Sequence, residues 1–212
     1  MKGLLMKDIY LMTSQRRFFL FILAFAVVIM FLTGSATFAI GYTTFLGGLF
    51  ALTTVNYDEL ENGFTFLFTL PISRKEYALE KYIFGIAVGA GCCLFSTLLG
   101  LVANANGLLD LGEASEIITT ALFTYSLLLF FLALVIPLHF RFSSEKARMV
   151  LLVLIAAGIG FSFSLGTMGV LDGKTLATFS TGIGMIVLVS FLALCLTLSY
   201  FLSVHILNKK DF

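Results

Sequence analysis

The sequence predicts an all-α membrane protein, a single transmembrane domain of residues 1–212 that crosses the bilayer six times. Of its residues, 59% are hydrophobic and 12% are charged, with a mean hydropathy of +1.05, whereas soluble domains average about 45–50% and 25%. The charged residues also cluster between long apolar runs, and one helical span needs about 20 apolar residues. A chain of 212 residues therefore has room for one membrane domain and no sizeable soluble one.

The first 17 residues predict a short amphipathic helix at the membrane surface. Leu5, Ile9 and Met12 recur at helical spacing and form the predicted apolar face. The predicted polar side carries Lys2, Lys7, Asp8, Gln15, Arg16 and Arg17. The same pattern also fits the polar beginning of the first span, and both interpretations remain open.

The uncharged run of residues 18–57 is long enough to cross the membrane twice. It is too long for a secretory signal. The turn-prone residues 33–35, Thr-Gly-Ser, mark the predicted reversal between two spans. The acidic residues within 58–61 then return the chain to water, and the apolar residues within 60–68 indicate a hairpin at the membrane surface.

A polar island at residues 69–82 precedes the third span. Pro71 disfavours helical geometry in the residue before it. Ser73, followed three residues later by Glu76, has the pattern of a capping box. A helix is therefore predicted to begin at Arg74.

The first turn of this predicted helix carries two cations, Arg74 and Lys75, where the helix dipole opposes positive charge by roughly 0.3–1 kcal/mol each. Two explanations are equally compatible with the residues. The cations either hold the loop on the cytoplasmic side of the membrane or dock onto a soluble partner. Ile72 and Tyr77 fit the hydrophobic staple that often flanks such a cap.

The third span carries a stripe of small side chains spaced three or four residues apart. Its members are Gly85, Gly89, Cys93, Ser96 and Gly100. Small residues let another helix approach closely. Because such stripes are common in helix bundles, packing within the subunit is favoured over packing against a second subunit.

The remaining apolar runs predict spans at residues 117–138 and 149–171 and a last span beginning near Ile183. Residues 178–184 are rich in Thr, Ser and Gly, and the segment 175–184 is compatible with a piece of chain that dips into the outer leaflet. Every Lys and Arg except Lys174 falls in segments assigned to one side of the membrane. Since basic loops stay inside, both termini are predicted to be cytoplasmic.

Several classes of function are disfavoured. No Asp, Glu, Lys or Arg lies between the predicted ends of a span, which argues against an ion relay. No metalloprotease motif, nucleophile elbow or phosphate-binding loop is present. The three cysteines lie in apolar runs and predict neither disulfide nor metal site. We predict no catalytic, cofactor or metal site in this chain and no nucleic-acid partner.

Four segments, taken together and in this order, resemble the small permease subunits of bacterial ABC transporters of the type 2 class. The resemblance is closest to the phenol-soluble modulin exporter kind and its relatives in peptide-antibiotic export and immunity. It covers essentially the whole chain. The segments are residues 1–8, 69–77, 81–82 and 208–212.

The resemblance implies that two six-helix subunits pair, as a homodimer or a heterodimer, each with a separate cytoplasmic ATPase that binds ATP and Mg. It also implies a coupling helix between spans two and three, in the loop at residues 58–82, that docks into the ATPase. The residues that match this role are Leu70, Pro71, Ile72, Ser73, Arg74, Lys75, Glu76 and Tyr77. No substrate residues carry over. The extended outer domain of larger relatives is replaced here by a short turn.

The sequence and the resemblance together predict a multi-pass permease subunit, not itself an enzyme, in the bacterial plasma membrane. Its 24 Phe residues favour export of an apolar or amphipathic cargo such as an antimicrobial peptide or antibiotic, although contact with membrane lipid accounts for much of this composition. Two alternatives stay open. One is a small-molecule-binding membrane subunit of an energy-coupled importer, and the other is a non-transporting membrane immunity or assembly factor.

Overall fold

The architecture is taken from a computed structural model of the chain, which describes residues 2–59, 64, 67, 69, 72–108, 113–142, 149 and 182–209, with only the backbone described for residues 2 and 182–186. Within these ranges the chain forms six bounded helices and no strand. The helices are α1 (Lys2–Ser14), α2 (Arg16–Thr33), α3 (Ala36–Glu59), α4 (Arg74–Ala105), α5 (Ala114–Arg141) and α6 (Gly182–Lys209).

Five helices of the described chain, α2 to α6, are long and apolar enough to cross a membrane. They correspond to the first four predicted spans and the last, so the all-α, multi-pass fold is confirmed. Helix α6 is described from Gly182 onwards, so its predicted start near Ile183 stays a prediction. Apart from Met149, the predicted fifth span at residues 149–171 lies outside the described residues, as does most of the segment 175–184.

The predicted reversal between the first two spans is confirmed. Helix α2 ends at Thr33, and Gly34 follows with a φ of 60°. Glycine adopts this left-handed conformation without the steric cost of a Cβ atom. The Gly34 N–H donates to the carbonyl of Met30 at 3.1 Å, which satisfies one of the free carbonyls at the helix end.

The centre of the bundle is a close approach of α3, α4 and α5. Leu128 of α5 is fully buried between Gly48 of α3 and Gly89 of α4. A Cβ atom at either glycine would collide with a methyl group of Leu128. The two glycines therefore form a slot that fits one leucine side chain, and this contact sets the spacing of the three helices.

The small-residue stripe lies inside the subunit. All five members, from Gly85 to Gly100, are buried. The Cys93 thiol donates to the carbonyl of Ala121 on α5 at 3.6 Å. A Cβ atom at Gly100 would lie 3.3 Å from the Cβ atom of Ala36 on α3. Helices α3 and α5 thus fill the face that the stripe leaves open.

A hydroxyl cluster holds α6 to its neighbours. The Tyr82 hydroxyl of α4 lies 2.5 Å from the Ser199 hydroxyl and 2.9 Å from the Ser203 hydroxyl. Ser199 in turn donates to the carbonyl of Ala133 on α5. All three side chains are buried. Lipid tails cannot form hydrogen bonds with these hydroxyl groups, so the groups bond one another and so link the helices.

The predicted polar side of the N-terminal helix was wrong at Asp8. Of the predicted apolar face, Leu5 and Met12 are partly buried, and Ile9 is 48% exposed, where a helix at the membrane surface would contact lipid. Asp8, assigned to the polar side, is 0% exposed, and Leu4 is buried beside it. The helix is rotated in this way because Asp8 pairs with a buried cation of the bundle.

Candidate functional site

One end of the bundle gathers the basic residues, and we call it the basic end. The described Lys and Arg side chains there are Lys7, Arg16, Arg17, Arg74, Lys75, Lys81, Arg141 and Lys209. The exposed carboxylates Glu113 and Glu116 lie at the opposite end, where α5 begins. That the basic end faces the cytoplasm stays a prediction from the positive-inside rule.

The start of α4 has the predicted capping box. The Ser73 hydroxyl accepts a hydrogen bond from the Glu76 backbone N–H at 3.2 Å, and the Glu76 carboxylate accepts one from the Ser73 N–H at 3.1 Å. Two backbone donors that the helix leaves free are thereby satisfied. The helix begins at Arg74, as expected.

Apolar contacts anchor this capped start to the rest of the basic end. Tyr77 is fully buried, and its ring lies 5.8 Å from those of Phe64 and Phe140. Ile72, its predicted staple partner, packs against the same apolar cluster. The first turn of α4 is therefore fixed in position rather than projecting freely. Leu70 and Pro71 lie outside the described residues.

The two cations of the first turn have different environments. The Arg74 guanidinium donates to the backbone carbonyl of Leu207, in the last turns of α6, at 2.6 Å. This carbonyl end of α6 carries partial negative charge, which favours a cation and explains an arginine at the start of α4. Lys75 is exposed and forms no ion pair with a described residue.

Directly behind this turn lies a charge cluster that was not predicted from the sequence, and all of its members except the partly exposed Lys7 are buried. Its members are Lys7 and Asp8 of α1, Asp58 of α3, and Glu80 and Lys81 of α4. The Lys81 ammonium lies 2.5 Å from Asp8, 2.9 Å from Asp58 and 3.5 Å from Glu80. Lys7 pairs with Asp58 and lies 3.4 Å from Asp8.

Neighbouring polar groups complete the surroundings of Lys81, whose side chain is 0% exposed. Its ammonium donates to the Thr54 hydroxyl at 3.1 Å and lies 5.3 Å from the centre of the Tyr77 ring. The Tyr77 hydroxyl donates to Asp58 at 3.1 Å. Lys81 of α4 thus contacts both α1 and α3, and its partner Asp8 on α1 is 73 positions away in the sequence.

The cluster carries more carboxyl groups than ammonium groups. Burial by itself raises the pKa of the Asp8 carboxyl, but the Lys81 and Lys7 ammoniums hold this pKa below its usual value. Asp8 is therefore ionised at neutral pH. Glu80 has no hydrogen-bond donor among the described residues for either carboxylate oxygen, which makes it the least satisfied member.

A sequence signal for the cluster existed. Lys81 lies four residues before Gly85 and eight before Gly89, so it continues the small-residue stripe towards the basic end. A lysine on a packed helix face must find buried partners. From the sequence, Lys81 was assigned only to the basic loop. Its partners lie on other helices, so no local pattern pointed to them.

Comparison with known families identifies the chain. A model of the family described as ABC-2 family transporter protein matches residues 3–208. The chain belongs to the ABC-2 transporter family. No curated protein and no solved structure matches it.

Membership makes this ABC-2 protein a permease subunit of an ABC transporter, which resides in the bacterial plasma membrane as a multi-pass protein. It also implies an ATPase partner. The predicted resemblance to the type 2 class of ABC transporters is confirmed, whereas the phenol-soluble modulin subtype stays a prediction.

The cap of α4 in this ABC-2 subunit can be tested directly. Ser73→Ala removes the acceptor for the Glu76 N–H and is expected to cost about 0.5–2 kcal/mol of local helix stability. Amide hydrogen exchange should accelerate at residues 74–77. Ser126→Ala is the control, because among the described residues that exposed hydroxyl bonds only the Leu122 carbonyl of its own helix. Unchanged exchange in Ser73→Ala would contradict a stabilising cap.

Proposed function

We propose that the chain is the permease subunit of an ABC exporter that moves an apolar or amphipathic substrate, such as a peptide or peptide-like antibiotic. A separate ATPase chain binds ATP and Mg and docks at the 58–82 loop. The start of α4 serves as the coupling helix. The observation that carries the proposal is the exposed Lys75, presented on a helix turn that is capped by Ser73 and anchored by Tyr77.

When the ATPase moves the first turn of α4, the helix transmits this movement into the membrane. This helix is continuous over 32 residues, roughly 48 Å at 1.5 Å per residue. The buried charge cluster ties its first turns to α1 and α3, and the Arg74 hydrogen bond ties them to α6. A push on the first turn therefore tilts α4 together with these neighbours, and alternating access follows as the bundle opens outward.

The composition of the spans supports an apolar cargo over an ion. In the described helices, Asp, Glu, Lys and Arg lie within about two turns of a helix end. A charge-relay route would place such residues at the middle of the membrane.

A second permease subunit completes the transporter in this proposal, as an identical copy or as a related chain. Helices α3 and α5 already fill the stripe on α4. We therefore assign the contact between subunits to other helix faces.

Single substitutions of the two first-turn cations test the docking role. Lys75→Gln is expected to weaken binding of the cognate ATPase about tenfold, the effect of losing one close charge pair across an interface, and to reduce substrate-stimulated ATP hydrolysis. The thermal stability of the subunit should not change, because Lys75 has no ion pair among the described residues.

Arg74→Gln is the matched control. It removes the hydrogen bond to Leu207 and should lower the midpoint of thermal unfolding of the isolated subunit, with or without the ATPase. Equal recovery of the ATPase with wild type and Lys75→Gln, at equal rates of hydrolysis, would remove the docking role. Purification with a bound small molecule and no ATPase would favour an importer subunit instead.

A further inference from the structure

A cleft opens at the basic end between the last turns of α5 and α6. Its volume is about 430 Å³, and its lining residues are Phe140, Arg141, Leu202, His205, Ile206 and Lys209. Small-molecule sites typically have volumes of roughly 300–1,000 Å³. The cleft is therefore large enough for a lipid headgroup.

The rim of the cleft is cationic. Arg141 and Lys209 are both exposed, and neither forms an ion pair with a residue that the structure describes. The Arg141 guanidinium lies 5.6 Å from the centre of the ring of the next residue, Phe142, beside the end of α5. The exposed His205 contributes ring nitrogens to the same rim.

The rest of the lining is apolar and leads into the membrane. Ile206 and Leu202 lie on one face of α6, and Leu198 continues this face one turn further from the basic end. Leu202 is 53% exposed and Leu198 is 61% exposed. Since α6 crosses the membrane, this face offers a continuous track for an acyl chain below the cationic rim.

We propose that the cleft binds the phosphate headgroup of an anionic phospholipid, with an acyl chain along the α6 track. An arginine presents two parallel N–H donors to phosphate oxygens, and a lysine adds a point charge. Basic pockets between helices at the membrane surface select anionic headgroups in this way. A free phosphate ion could bind the cationic rim in the same way, but it has no acyl chain to contact the apolar track. The lipid is therefore the ligand that fits both parts of the cleft.

The test compares binding of phosphatidylglycerol and phosphatidylcholine to the full chain in detergent by native mass spectrometry. In Arg141→Gln/Lys209→Gln, phosphatidylglycerol binding should weaken about fivefold for each cation removed. Phosphatidylcholine binding should not change. The swap Arg141→Lys/Lys209→Arg keeps both charges and should retain most of the binding.

Arg16→Gln/Arg17→Gln is the matched control, since it removes two exposed cations of the basic end that do not line the cleft. Equal loss of phosphatidylglycerol in both double variants would overturn the proposal, because any surface charge would then serve. Displacement of the lipid by millimolar inorganic phosphate would overturn it as well, since the anion alone would be the ligand. Loss confined to the cleft variant, with no competition by phosphate, is the result that we expect.

Discussion

Replacing Lys81 by Met should destabilise the subunit by about 3–5 kcal/mol. The substitution keeps the length of the side chain but removes the fully buried cation that Asp8 and Asp58 share, and the partly exposed Lys7 is left to pair with both aspartates. Removing one partner of a buried ion pair costs this much because the remaining carboxylates lose a close counterion and are not reached by water. Thermal unfolding in detergent measures the loss. Limited proteolysis near Ser14 should detect the release of α1, which Lys81 holds through Asp8.

Glu80→Gln is the matched control, at the next position of the same helix and equally buried. Neither carboxylate oxygen of Glu80 has a hydrogen-bond donor among the described residues. A glutamine amide keeps the shape of the side chain and adds an N–H donor, so its cost should be near zero. Equal losses in Glu80→Gln and Lys81→Met would show that packing volume, and not ion pairing, holds this region together.

Gly89→Val is expected to destabilise the bundle by about 1–3 kcal/mol, the usual cost of overpacking. The new Cβ atom would meet a methyl group of Leu128, and it would lie 3.9 Å from the Cα atom of Gly48. Leu128 is fully buried in the core cluster, so a shift of its side chain must displace packed neighbours. Thermal unfolding should show the loss, and α3, α4 and α5 should separate slightly.

Gly91→Val provides the comparison on the same helix. Apart from its chain neighbours and the nearby backbone of its own helix, no atom of the described residues comes within 4 Å of a Cβ atom there, and Gly91 is exposed. Since valine has a somewhat better helix propensity than glycine, stability should stay the same or rise slightly. If both valines had equal effects, the slot around Leu128 would not be the close contact that sets the helix spacing.

Local features of this protein could be read from its sequence. The capping box at Ser73 and Glu76, the glycine turn at Gly34 and the ends of α3 to α5 depend on neighbouring residues and their hydrogen bonds. The multi-pass fold follows from the length of the apolar runs, because the membrane demands about 20 residues a span. The small-residue stripe predicted a close helix contact without naming the helices that fill it.

The tertiary structure decided which charges are buried and which remain available at the surface. Lys81 and Asp8 are 73 positions apart, and Arg74 and Leu207 are 133 apart, so no local pattern relates them. A helix period tells which residues share a face, but the partner of that face depends on how the helices pack. Packing turned Asp8 inward and Ile9 outward, and it left Lys75 more exposed than Arg74.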